Sequence, residues 1–369
     1  MSMNLLHIAS FAGNVGDIVN HQGFYGLMGI SEKNIKKIEI RRFYNNTREL
    51  SFNKDILEVI NSYDCLVLGG GGFFDIYWDD SYSGTTLDMT EAFIDGIKIP
   101  VIINAMGVHV DYNASKAISN FIKFFKYILE KKWFISLRND GSMSRLKSIV
   151  ADDIPKVHSV PDNGFAFNVV PYSGAASKYV GVSITNDLFS EKFNGALSLD
   201  RFNDEIADVC TYLIACGKKI IFFLHAPQDI KVLYEIQRRM GLKHFRNNIK
   251  VAPYAPFSLE NAFTLNKLYS QCQFVIAMRF HANVLAIKNR VPVIGLAGHE
   301  QIKGLFDELM LKDQCVIVKD DFKEKLIELI EKVIDEKEKY TKAENDVMEV
   351  IGIQQNRYRE QVTEIIKNF

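Results

Sequence analysis

Arg279-Phe280-His281 stand directly after an apolar run at 274–278. An arginine there needs an internal partner or a ligand, because a lone buried charge is costly; the ligand is the favoured reading. His281 opens the next helical pattern, where a helix N-terminus favours an anion nearby. Comparable residues follow other apolar runs. Arg138-Asn139-Asp140 come after 134–137, Pro161-Asp162-Asn163-Gly164 after 157–160, and His225 after 220–224 with Asp229 four residues on. Lys303 stands one turn into the helix that follows 291–296. Arg138, Arg279, His281 and Lys303 make a cationic set suited to a phosphate plus a carboxylate.

Two glycine-bearing segments also leave apolar runs. Gly13-Asn14-Val15-Gly16-Asp17 reads as a ligand loop, or as a loop with Asp17 capping the helix after it. Gly69-Gly70-Gly71-Gly72 can bring backbone N–H groups to an anion at a helix N-terminus, with Gly70 and Gly71 as the candidates. The plainer alternative is a tight turn with close packing; Phe74 occupies the place of a third glycine in G-x-G-x-x-G. Asp162 can equally start a turn before Gly164, and His225 can be a satisfied core histidine.

The elements that must position these residues are short buried runs, each followed by a helix-like stretch. In the first half they lie at 5–9, 38–42, 65–68, 101–104, 134–137 and 157–160. In the second they lie at 179–184, 220–224, 249–251, 274–278, 291–296 and 315–318. They are rich in Val, Ile, Leu and Phe without clean alternation, as parallel strands covered on both faces are. Segments 114–130, 199–216 and 259–269 have helical spacing between them. Strand–helix alternation twice over predicts an α/β protein of two doubly wound Rossmann-like domains facing a cleft. Ligands of such sheets bind beyond the carboxyl ends of the strands, where the residues above fall. The expected domains are 1–170 on the acceptor side and 176–320 on the donor side, joined by an aperiodic link at 168–178. The tail, 321–369, carries an apolar stripe (Phe322, Leu326, Leu329, Ile330, Val333) and reads as amphipathic helices.

A length of 369 residues suits two domains. Lys plus Arg is 44 and Asp plus Glu is 45, giving a formal charge of −1, which argues against nucleic acid as a partner. The cysteines, Cys65, Cys210, Cys216, Cys272 and Cys315, form no C-x-x-C pair and read as free thiols of a reducing cytosol. The N-terminus lacks a basic, apolar leader, and no apolar run reaches the ~18 residues of a membrane span. The expected location is cytoplasmic, with peripheral contact at the inner membrane face allowed.

In order along the chain, several blocks resemble the polysaccharide pyruvyl transferases. They are Gly13-Asn14-Val15-Gly16-Asp17, Leu68-Gly69-Gly70-Gly71-Gly72, Ser136-Leu137-Arg138-Asn139-Asp140 and Val160-Pro161-Asp162 with Phe165. Gly181-Val182-Ser183-Ile184, His225 to Asp229, and Arg279-Phe280-His281-Ala282 with Val291-Pro292-Val293-Ile294 follow. The chain departs from that pattern at Asp162-Asn163, where Asp-Pro is common, and at Phe73-Phe74, where a smaller aliphatic is frequent. The resemblance implies a fold like the two-domain glycosyltransferases. It implies transfer of pyruvate from phosphoenolpyruvate to a sugar of a cell-envelope polysaccharide or its precursor, forming a ketal. No metal or other cofactor is expected, and the sugar acceptor can be lipid-linked. Donor-binding Arg, His and Lys map onto Arg138, His281 and Lys303, joined by Arg279. Asn14, Asp17, Asp75 and His225 are expected near the acceptor. Asp17, Asp75, Asp162 and His281 are candidates for the general acid and base, with Asp17 the leading base. The competing reading is a nucleotide-sugar glycosyltransferase that uses Glu300 and Glu308, an E-x7-E pair. A third is a catalytically dead sugar-binding module.

Overall fold

The computed structural model describes residues 3–44, 49–131, 133–150, 154, 156–167, 179–186 and 197–368. The chain divides into two compact units. The first holds Met1–Phe11, Asn20–Ala166 and Ile353–Phe369; the second holds Ala12–Val19 and Phe167–Gly352. The sequence-based link at 168–178 lies outside the described residues. The segment 321–369 is not set apart as the sequence suggested. Residues through Gly352 group with the second unit and Ile353–Phe369 with the first.

In the first unit the strands are β1 Leu5–Ala9, β2 Ile35–Glu39, β3 Cys65–Gly69, β4 Phe74–Ile76, β5 Val101–Met106, β6 Val108–Val110, β7 Phe134–Arg138 and β8 Val157–Val160. The helices are α1 Val15–Met28, which groups with this unit from Asn20 on, α2 Lys54–Ile60, α3 Glu91–Gly96, α4 Ser115–Glu130 and α5 Ser142–Val150. A six-stranded sheet runs β2-β1-β3-β5-β7-β8, and β4 pairs with β6 separately. All these pairings are parallel. The strand order reverses between β1 and β3, so the carboxyl ends of these two strands mark the expected ligand side. β1 and β3 are wholly buried and, His7, Ala9 and Gly69 apart, built of Leu, Ile, Val and Cys, which is why they read as apolar runs.

β2 lies three residues earlier than the apolar run at 38–42 predicted. The Glu39 carboxylate accepts from the Arg41 amide and closes a 3-10 turn over Ile40–Phe43. Ile40 and Phe43 therefore reach the core from a turn. β4 and β6 escaped the sequence reading because three residues each are too few to show a period.

The second unit has β9 Tyr179–Ser183, β10 Lys219–Phe222, β11 Ile249–Val251, β12 Val275–Ala277, β13 Val293–Ala297 and β14 Cys315–Ile317. Its helices are α6 Leu199–Ala215, α7 Gln228–Met240, α8 Leu242–Asn248, α9 Leu259–Tyr269, α10 Phe280–Lys288, α11 Glu300–Glu308, α12 Phe322–Asp335 and α13 Lys337–Asn368. The sheet order β11-β10-β9-β12-β13-β14 is the doubly wound nucleotide-fold order, reversing between β9 and β12. Phe322, Leu326, Leu329, Ile330 and Val333 of α12 bury their stripe in this unit's core, as the spacing predicts. Further on, Tyr358 and Val362 of α13 lie in the first unit's core, where the Tyr358 hydroxyl donates to Asn104 Oδ1 at 2.6 Å.

Candidate active site

In the second unit, β12 ends at Ala277, and Arg279 is the N-cap of α10. The Arg279 guanidinium is buried and grips Asp229 through two nitrogens, with Nη2 at 2.6 Å and Nε at 3.1 Å from Oδ1. Asp229 sits in the first turn of α7, and its Oδ2 accepts the backbone N–H groups of His225 at 2.8 Å and Ala226 at 3.1 Å. This one carboxylate thus ties the end of β10 to the end of β12. The sequence reading favoured a ligand for Arg279 over an internal pair. The internal pair is present, and it fixes the guanidinium in place.

His281 lies in the first turn of α10 and is only 8% exposed. Its imidazole packs on Gly16. A Cβ there would lie 2.2 Å from Nδ1, so only glycine fits. Val15 N–H donates to the His225 carbonyl at 3.0 Å. The Gly13–Asp17 block therefore serves the unit that carries His281, since Ala12–Val19 group with it. The sequence reading put Asn14 and Asp17 on the acceptor side because their loop leaves β1. Asp17 is not the cap of α1 either. Asn14 Oδ1 accepts from Gly16 N–H at 2.8 Å, and Asp17 sits inside the first turn.

His225 is buried and hydrogen-bonded through Nε2 to the Tyr269 hydroxyl at 2.8 Å. Burial pushes its pKa down to about 3, with Arg279 and His281 adding to the fall against the Asp229 charge. It is a neutral core histidine at any physiological pH. Lys303 lies on α11 with its side chain 47% exposed and pairs with Asp307 one turn on. That hydrogen bond raises its pKa. Glu300 and Glu308 stand at the two ends of the same helix, roughly 12 Å apart along its axis.

In the first unit, Arg138 is the last residue of β7, and its Nε donates to Asp140 Oδ2 at 2.6 Å. Asp140 also takes Arg145 Nη2 at 3.2 Å and the amide and hydroxyl of Ser142. Burial alone would raise its pKa, but Arg138, Arg145 and His109 outweigh that and hold it at about 2. Asp162 is a turn-former, as the plainer reading had it. Its Oδ1 accepts from Gly164 N–H at 2.8 Å, and its Oδ2 accepts from Asn20 Nδ2 at 2.6 Å. Asn139 Oδ1 in turn accepts the Asp162 amide at 2.9 Å.

The glycine run does not have the setting that an anion cradle at Gly70 and Gly71 expects. No helix follows the glycine run; β4 does. The Gly70 N–H is engaged by the Asn104 carbonyl at 2.8 Å, and the Gly71 carbonyl accepts from Gly107 N–H. Gly70 has φ +85°, and a Cβ on it would lie 2.4 Å from Asn20 Oδ1. The run is a tight link that lets β3 pass into β4.

Asp75, on β4, is buried, and burial raises its pKa to about 6 against the pull of its hydrogen bonds. It accepts from the Tyr77 hydroxyl at 3.1 Å, Trp78 Nε1 at 3.4 Å and Thr86 Oγ1 at 3.3 Å. A carboxyl poised near neutrality is suited to proton transfer. The sequence reading missed Asn20, His109, Tyr77, Trp78 and Thr86. Only the two aromatics beside Asp75 left a signal, as adjacent large rings at the end of an apolar stretch. Among the described residues, no three His, Cys, Asp or Glu side chains come together as a metal would require.

Solved structures with this fold share little sequence with the chain. The UDP-GlcNAc 2-epimerase of Methanocaldococcus jannaschii is 13% identical with a TM-score of 0.53, covering 89% of this chain and 92% of that one. Anabaena HepE, solved with UDP and glucose, is 11% identical with a TM-score of 0.57, covering 100% of both chains. WaaG, a glycosyltransferase of lipopolysaccharide biosynthesis, is 10% identical with a TM-score of 0.52, covering 98% of this chain and 99% of that one. These likenesses establish two Rossmann-like units of the glycosyltransferase B kind. No curated protein matches the chain. The family model described as polysaccharide pyruvyl transferase matches residues 17–300, a span that takes in Arg138, Asp229, Arg279 and His281. With well over half of its 369 residues so matched, the chain belongs to the polysaccharide pyruvyl transferase family.

Proposed function

We propose that the protein transfers pyruvate from phosphoenolpyruvate to two hydroxyls of a sugar, forming a ketal and releasing phosphate. The observation that carries the reading is the Arg279–His281 corner at the carboxyl end of β12. There a carboxylate-anchored guanidinium and a buried imidazole share the N-terminus of α10, an environment built for an anionic donor. The family resemblance adds Arg138 and Lys303 to the donor's partners. In the reaction a proton goes to C3 of the enol phosphate, a sugar hydroxyl attacks C2, the C2–O bond to phosphate breaks and phosphate leaves, and the second hydroxyl closes the ketal. This needs a group that both gives and takes protons near neutrality. Asp75 has that property through its raised pKa, and His281 and Asp17 are the further candidates. The reading uses no resident cofactor or metal. The acceptor is a polysaccharide precursor, lipid-linked or free. Among the described residues no helix is long and apolar enough to cross a membrane, so a lipid-linked acceptor would be met at a membrane surface.

A second reading rests on the UDP bound in a structural neighbour. It makes the chain a nucleotide-sugar glycosyltransferase acting through Glu300 and Glu308. One assay separates the two: phosphoenolpyruvate-dependent phosphate release with an acceptor glycan, run with and without chelator. Arg138→Ala, His281→Ala and Lys303→Ala should each lose about ten- to a hundredfold in rate, from a charge-assisted hydrogen bond worth ~1.5–3 kcal/mol. Glu308→Ala should lose far less, and EDTA should leave the rate unchanged. Wild-type rates in the three cationic variants with a dead Glu308→Ala would overturn pyruvyl transfer in favour of the second reading.

A further inference from the structure

β4 ends at Ile76, and the chain then presents Tyr77 and Trp78. Their rings are stacked, 5.2 Å between centroids and 26° apart in plane. Tyr44 also packs against Trp78, with 5.6 Å between ring centroids. Tyr77 is 49% exposed. The crevice behind Trp78, between Phe43, Tyr44 and Thr86, measures 10 Å³, room for about one water.

Under the rings lies the Asp75 carboxyl. It holds the Tyr77 hydroxyl, the Trp78 indole N–H and the Thr86 hydroxyl, so both rings are pinned by their polar ends; each covers one face of the other, and the half-exposed Tyr77 presents its outer side. β4 follows β3 through the glycine link, which places this group beyond the carboxyl end of the first unit's sheet, the side on which ligands bind.

We infer that the Tyr77–Trp78 platform with Asp75 is a pyranose subsite, which seats the acceptor's sugar ring by its C–H face and takes a ring hydroxyl on the carboxyl. An aromatic face attracts the positively polarised C–H edge of a sugar. The neighbouring carboxyl accepts hydroxyl protons and disfavours a phosphate-bearing nucleotide. The inference rests on the reading that the acceptor is a sugar, and it can be tested apart from the donor. The chain has two tryptophans, Trp78 and Trp133, and the latter packs on the first unit's core.

Methyl β-galactoside, methyl β-glucoside and N-acetylglucosamine are titrated against the protein, with uridine beside them, and tryptophan emission is followed in the wild type and in Trp133→Phe. At least one sugar should change the emission saturably in both. Tyr77→Ala should weaken that sugar about two- to tenfold, the loss of one ring contact. Tyr77→Phe, which keeps the ring, should bind nearly as the wild type. The variants' melting curves report whether each is folded. A thermal shift with phosphoenolpyruvate should be the same in Tyr77→Ala as in the wild type. Emission that answers uridine alone, or no probe, overturns the subsite, as does wild-type sugar affinity in a folded Tyr77→Ala. A wild type that binds sugar but shows no response to phosphoenolpyruvate keeps the subsite and removes the pyruvyl reading.

Discussion

Gly16→Ala tests whether the first turn of α1 is built around His281. The backbone at Gly16 is ordinary helix, so alanine itself is welcome there and should add about 0.5–1 kcal/mol through reduced freedom of the unfolded chain. The obstacle is the imidazole. The new Cβ would meet His281 Nδ1 at 2.2 Å, Cγ at 2.6 Å and Cβ at 2.9 Å. Rotation about χ1 can move the ring atoms but not the His281 Cβ, so some backbone displacement is forced as well. Overpacking of this kind costs about 1–3 kcal/mol. The net expectation is a loss of about 1–2 kcal/mol in the wild-type background. In a His281→Ala background the ring is gone and only the methyl group of alanine remains, so most of the obstacle goes with it. There the same substitution should be neutral or stabilising. Urea denaturation of the four proteins gives the cycle, and a coupling near 2 kcal/mol is expected between residues in contact. Equal effects of Gly16→Ala in both backgrounds would falsify the packing argument and remove the explanation for glycine at this position.

Two further outcomes concern the first unit. Asp140→Asn removes the partner of two arginines in a buried site and should destabilise by about 3–5 kcal/mol. Because Asp140 is held at about 2, the stability it contributes is present above its unfolded pKa near 3.9 and should fade as pH drops from about 4 to 2, a slope that thermal melts of Asp140→Asn should lack. Asp75 behaves oppositely. With its pKa raised to about 6, the folded protein holds a proton that the unfolded chain has released between about pH 4 and 6. Stability should therefore fall as pH rises through that window, by up to about 3 kcal/mol, and Asp75→Asn should flatten the curve and melt higher than the wild type at pH 7.5. A wild-type melting temperature that is constant between pH 4 and 7 would mean that Asp75 is not held in its neutral form.

The fold was legible because parallel strands covered on both faces announce themselves. β1, β3, β5, β7, β9 and β13 are buried along nearly their whole length and appear in the sequence as apolar runs. Helices α4, α6 and α9 fall within a residue of their predicted spans, since each has a capping Ser or a clear apolar stripe. What failed is local chemistry that depends on a distant partner. A glycine run after a strand suggests a phosphate loop, and nothing in the run itself shows that the Asn104 carbonyl will take the Gly70 amide. The block around Asp17 follows β1 in the chain, yet it groups with the unit that holds His281. Sequence order gave the wrong allegiance, because the deciding contact joins residues 265 positions apart.

The same limit governs the charges. Four cations at strand ends suggested a site rich in positive charge, which would attract a dianionic donor by field alone. Three of them have a carboxylate beside them: Asp140 for Arg138, Asp229 for Arg279, and Asp307 for Lys303. His281 stands in the first turn of a helix, whose N-terminus supplies a partial positive charge. Burial beside a fixed carboxylate holds each guanidinium in one orientation. On the proposed reading, side chains ordered in this way before the ligand arrives matter more than net charge. That is consistent with a chain whose formal charge is −1. It also explains why Asp229 belongs to the site although it repels an anion. Without it Arg279 would be a buried charge with its main partner removed, and the amides of His225 and Ala226 that close the end of β10 would lose their acceptor.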